Sequence, residues 1–83
     1  MALSGCIYFT NWDDVHRSWI GSAVSEYSKL NGAADHIDQL DDGNKEYMWH
    51  FERIDPKCRQ YFEVNAKGII VSTHHTGNCV PVG

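Results

Sequence analysis

Basic residues are scarce in this chain. Seven Lys and Arg stand against eleven Asp and Glu, a formal net charge of −4 over 83 residues. Such a balance repels a phosphate backbone and an anionic membrane surface at long range, and it argues against direct binding of either. The seven cations, Arg17, Lys29, Lys45, Arg53, Lys57, Arg59 and Lys67, are scattered and form no patch. Also missing are a positively charged leader and a long apolar run, so neither a signal peptide nor a spanning helix is expected, and a cytoplasmic address follows by default. Cys6, Cys58 and Cys79 make an odd number, which opposes a complete disulfide framework and leaves a single Cys58–Cys79 bridge open. No glycine-rich phosphate loop, serine nucleophile elbow, P-x-x-P segment, repeat or low-complexity stretch is present.

What the chain does have is enough apolar and aromatic matter for one small core. Apolar residues make up 42% of it, with three Trp, four Tyr and three Phe. A domain of this length hides only roughly 60 to 65% of the surface that its unfolded form exposes, so a partner or self-association has room to add stability. The expected architecture is one α+β domain over residues 1–83. Its elements run strand, helix, short helix and three strands, with the main helix packed on one face of an antiparallel sheet.

The pattern behind that expectation is local. Leu3 to Phe9 reads as a first strand. Thr10 or Asn11 supplies an N-cap, Asp13 and Asp14 suit a first helical turn, and a helix is predicted from Trp12 to about Leu30. Trp12, Val15, Trp19, Ala23, Tyr27 and Leu30 trace its apolar stripe, and Asn31-Gly32 ends it. Gly21 inside the helix is explained by close packing on the sheet. Ala33, Ile37 and Leu40 support a short second helix, stopped by Asp41-Asp42-Gly43-Asn44.

From Glu46 to His75 the chain has the alternation and punctuation of a three-stranded meander. A tight turn at Asp55-Pro56-Lys57-Cys58 sets Ile54 opposite Arg59, Phe51 opposite Phe62, His50 opposite Glu63 and Trp49 opposite Val64. A type I turn with a glycine bulge at Asn65-Ala66-Lys67-Gly68 sets Val64 opposite Ile70. One face then carries Tyr47, Trp49, Phe51, Phe62, Val64 and Ile70 toward the helix. The other carries Met48, His50, Glu52, Ile54, Arg59, Tyr61, Glu63, Ile69, Val71, Thr73 and His75, and calls for cover by another chain or by the tail, Gly77 to Gly83.

Three chemistries compete for these residues. Asp35, Asp38, Asp41, Asp42 and Glu46 form the densest charge cluster; a calcium loop centred on Gly43 fails because Leu40 and Trp49 fall where oxygen ligands are needed. Zinc on His74, His75, Cys58 and Cys79 lacks ligand-pair spacing, and adjacent histidines on a strand point to opposite faces. His50, Glu63, Arg59 and His75, with Glu52 and Tyr61 beside them, resemble in architecture and residue type the sheet-borne Glu/His/Arg sites of small microbial ribonucleases. That resemblance implies metal-independent RNA cleavage, with His50 and Glu63 as acid and base and Arg59 stabilising charge on phosphorus.

Carboxylates spaced over a small, compact surface can block a basic nucleic-acid groove on a target, which is the physical logic of toxin-immunity proteins and of phage inhibitors of host defence nucleases, anti-CRISPR proteins among them. The acidic balance favours this reading over catalysis. It implies a small inhibitor that offers Asp35, Asp38, Asp41, Asp42 and Glu46 to a basic, nucleic-acid-handling protein, with no catalytic residue, metal or cofactor. A homodimerising structural or adaptor protein is the third reading.

Overall fold

The helix expected from Trp12 to Leu30 is two helices. The computed structural model describes residues 12–79, which form α1 (Trp12–Arg17), α2 (Val24–Asn31) and four strands, β1 (His36–Gln39), β2 (Lys45–His50), β3 (Arg59–Val64) and β4 (Ile70–Thr76). The strands make one antiparallel sheet in the order β1-β2-β3-β4, so the α+β class stands. The strand expected at Leu3–Phe9 lies outside the described residues.

Backbone bonding explains the break. After α1 the chain tightens into i→i+3 bonds, with Trp19, Ile20 and Ser22 donating to His16, Arg17 and Trp19. Gly21 then turns with φ +95°, a value that favours glycine, and a Cβ there would meet nothing within 4 Å. Its role is therefore to turn the chain, and the close packing inferred from sequence is not the reason for it. The segment it releases joins the edge of β4: Gly21 donates to Ile70 O at 2.8 Å, Ile70 to Ser22 O at 2.9 Å and Val24 to Gly68 O at 2.9 Å. A sheet edge offers unpaired amides and carbonyls, and the 21–24 segment satisfies them better than a continuous helix would.

The break re-phases the apolar stripe. His16 is the buried residue of α1, Val24 and Tyr27 are the buried residues of α2, and Leu30, expected in the core, is 73% exposed. Tyr27 is the hub, meeting Trp19, Trp49 and Phe62 edge-on at centroid distances of 5.2, 4.8 and 4.6 Å. Beneath it Trp49, Phe62, Val64 and Ile70 complete the core, on the face predicted for them.

Ala33–Asn44, read as a short helix, contains β1 instead. Asp35 donates its amide to Met48 O at 2.8 Å, and β1 covers an edge that β2 would otherwise leave open. The Asp41-Asp42-Gly43-Asn44 turn is present as expected, with Leu40 donating to Asn44 O and Asp42 Oδ1 accepting from the Asn44 amide, but it joins two strands.

The pairing of β2 with β3 differs from expectation by four residues. His50, not Ile54, faces Arg59, and Tyr47, not Phe51, faces Phe62. The Asp55–Cys58 turn does form, with Cys58 donating to Asp55 O at 3.0 Å, yet the ladder stops well short of it. His50 is taken up at that point: its amide donates to Asp35 Oδ2 and its Nε2 to Pro56 O at 2.7 Å. A slip of four is even, so every side chain keeps its face.

The pairing of β3 with β4 starts as predicted, with Val64 opposite Ile70, then shifts. Glu63 faces Ser72, which leaves Val71 as a bulge. Beyond it the alternation inverts. Thr73 and His75, expected on the open face, point to the helices, and His74 takes the open face opposite Tyr61.

The tail is held from Gly77 to Cys79. Cys79 is disulfide-bonded to Cys58 in the β2–β3 loop, and both are buried. A Cβ on Gly77 would stand 2.0 Å from Lys57 O, so only glycine permits this approach. Among the described residues no helix is long and apolar enough to cross a membrane.

Candidate functional site

The open face of the sheet is built in rows by the strand register. Asp38, Glu46 and Glu63 lie side by side on β1, β2 and β3, followed by Ser72 on β4. The next row is His36, Met48, Tyr61 and His74, and the last is His50, Arg59 and Thr76. Neighbours across strands are about 5 Å apart, so the first row is a line of three carboxylates with no cation inside it. Like charges set directly opposite destabilise a sheet by a few tenths of a kcal/mol, up to about 1.

Neutral or weakly basic groups relieve the row at its ends. Asn44 Nδ2 donates to Glu63 Oε2 at 2.7 Å, and His36 Nε2 lies 2.9 Å from Asp38 Oδ1. In the second row the Tyr61 and His74 rings stack at 4.6 Å, 5° from parallel. This surface is polar and aromatic and is laid out in rows across four strands, which suits a macromolecular partner better than a small ligand.

The five residues predicted to meet a partner separate into three places. Asp38 and Glu46 belong to the row. Asp41 and Asp42 are exposed at the tip of the β1–β2 hairpin, just beyond the row's end, with one Asp42 oxygen engaged by the Asn44 amide. Asp35 sits at the opposite end of β1 and is spent on the His50 amide. Glu63, placed by sequence in the catalytic alternative, is the third member of the acidic row, a role that the four-residue register difference concealed.

The catalytic quartet is divided. His50 and Arg59 face each other, but Glu63 is four residues along β3 from Arg59, about 13 Å at strand spacing, too far for His50 and Glu63 to share one phosphorus. His75 is on the helix side, where its Nδ1 lies 2.6 Å from Asp13 Oδ1 and ties α1 to β4. The His50 ring turns to the loop, with Nε2 on Pro56 O and the other nitrogen 3.7 Å from Glu52 Oε1. As for zinc, Cys58 and Cys79 bind each other, His74 and His75 point apart as expected, and among the described residues no three ligating side chains converge.

Sequence reasoning missed a buried polar chain beneath the helices. Trp12 Nε1 donates to Gln60 Oε1, and Gln60 is fully buried. His16 Nδ1 donates to Trp12 O and its Nε2 accepts from the Tyr27 hydroxyl, both at 2.9 Å. Burial lowers the His16 pKa below 6.5, outweighing the Trp12 carbonyl and the Asp13 charge, and burial pushes the Tyr27 phenol up, so Tyr27 stays a donor. One hint was available in the spacing: His16 falls four residues after Trp12 and three before Trp19, on the aromatic side of its helix. Compared with models of protein families, with curated proteins and with solved structures, the chain matches none.

Proposed function

We propose that the chain is a small acidic binding protein whose open sheet face blocks a basic, nucleic-acid-handling protein, in the manner of immunity proteins and phage anti-defence inhibitors such as anti-CRISPR proteins. The observation that carries this reading is the row Asp38–Glu46–Glu63. A sheet with no use for it would be more stable with Thr or Lys at the middle position, whereas here three strands hold negative charge in one line. Asp41 and Asp42 extend that line at the hairpin tip, and the net charge of −4 adds long-range steering toward a basic surface. The reading asks no catalysis, metal or cofactor of the chain, and a partner of this kind fits the cytoplasmic address expected from sequence.

The test compares the natural chain with a triple variant, Asp38→Asn, Glu46→Gln and Glu63→Gln, as baits in a nuclease-treated lysate. The expected result is a basic protein held by the natural chain at low salt, released at high salt, absent from the triple variant, and unable to bind nucleic acid while held. Equal capture by both baits, or capture indifferent to salt, overturns the reading.

A further inference from the structure

The two edges of the sheet are finished differently. The start of β4 is bonded to the 21–24 segment, whereas among the described residues nothing pairs with the outer side of β1. All four β1 residues are exposed, and Ile37, in the row of Tyr47 and Phe62 on the helix-bearing face, is 49% exposed. Edge strands that stay single are guarded by shortness, charged side chains, proline or a twist away from the edge. His-Ile-Asp-Gln is short and carries one charge, Asp38, which His36 of a second copy can meet, and it contains neither lysine nor proline.

We propose that β1 pairs with β1 of a second copy of this chain, antiparallel and centred on Ile37. Hydrogen-bond alternation supports that centre. Leu40 donates to Asn44 O, just ahead of β2, so by alternation Asp38 and His36 bond into β2, and the amide and carbonyl of Ile37 and Gln39 turn outward. With the two-fold axis at Ile37, each Ile37 exchanges two backbone bonds with its copy and covers the other's exposed side chain. His36 then stands opposite Asp38 of the second copy, twice. Moving the axis one residue along sets the two Asp38 side chains against each other and brings the wrong amides to the seam.

The pairing also joins the open faces. The acidic row of each copy runs on into the row of His36, Met48, Tyr61 and His74 of the other, so unlike chemistry meets at the seam on both sides of the axis. This inference stands apart from the acidic-face reading, since a second copy requires no basic partner. Four residues a side make a small interface, so the association is weak and rises with concentration.

The test uses the full chain in a Cys6→Ser background. Sedimentation from about 10 µM to about 1 mM is expected to show a shift toward dimer, and Ile37→Lys is expected to remove it with an unchanged far-ultraviolet spectrum. Independently, Ile37→Cys is expected to cross-link to dimer with a short bis-maleimide, because facing residues in a bonded pair have Cα atoms about 5.5 Å apart. Leu30→Cys, more exposed but off the seam, is expected not to cross-link. A monomer at every concentration, no cross-linking of Ile37→Cys, or equal cross-linking of the two cysteine variants overturns the proposal.

Discussion

The two faces of this sheet obey different rules. On the helix side Trp49, Phe62, Val64 and Ile70 are nearly inaccessible and packed around Tyr27, and each residue is where burial of apolar area wants it. On the open side Glu46 faces Glu63 directly and Asp38 faces Glu46, an order that the sheet's own stability opposes. The first face accounts for the fold. The second departs from what folding alone would select, and such departures are where function is to be sought.

Removing a ring from beneath the Tyr27 hub should show the contrast at its largest. Phe62→Ala, a fully buried aromatic removed from under Tyr27, is expected to cost about 3 to 5 kcal/mol in urea unfolding, whereas no single truncation on the open face should exceed about 1. A comparable loss at Tyr61 would break the distinction between the faces.

Next in size is the Cys58–Cys79 bond, which closes a loop of 21 residues' separation. Replacing both cysteines with serine should lower stability by about 3 kcal/mol on the loop-entropy account, read from the same unfolding curves. Dithiothreitol should reproduce that loss in the natural chain and add nothing to the double variant. Disulfides are uncommon in the cytoplasm, so recovering this bond from freshly lysed cells would also bear directly on the address proposed above.

The helix side carries one titratable weakness. His16 has a folded pKa below its unfolded 6.5, so the unfolded chain binds more protons as the medium acidifies. Its contribution is complete above about pH 6.5 and is lost as the pH falls below it. Unfolding midpoints between pH 8 and pH 5 should therefore decline, and His16→Gln, which keeps an acceptor for Tyr27 but takes up no proton there, should decline less. Identical slopes would show that the buried chain from Tyr27 to Trp12 is not what acid disrupts.

The smallest effect has the most telling sign. Glu46→Thr should stabilise the protein by about 0.5 kcal/mol, because it removes the middle of three aligned charges, while weakening capture of a basic partner. A destabilised variant would mean that the row is structural, and the contrast between the faces would lose its functional meaning.

Most of the inner face was legible in the sequence because side-chain alternation survives an even slip. Trp49 and Phe62 were placed correctly although their partners were four residues out. The Asn65–Gly68 turn was legible for another reason: Asn65 Oδ1 accepts from Lys67 and Ile69, a bond set that a short polar turn specifies locally. Long-range demands were not legible. Neither the claim of the β4 edge on residues 21–24, nor the claim of the β2 edge on His36–Gln39, is written in local periodicity. The acidic cluster was visible as composition, but its inclusion of Glu63 and its loss of Asp35 to a strand end depend on register.

Val71 shows how little sequence separates one surface from another. Because a single unpaired residue sets the phase of everything after it, a ladder that took up Val71 opposite Glu63 would hand His74 to the helices and His75 to the water with the sequence unchanged. That pairing would undo both the stack on Tyr61 and the tie to Asp13, whereas deletion of Val71 itself would leave Ser72 opposite Glu63 and keep both. The phase of this strand, more than the identity of any one side chain, decides which of its residues make the outer surface.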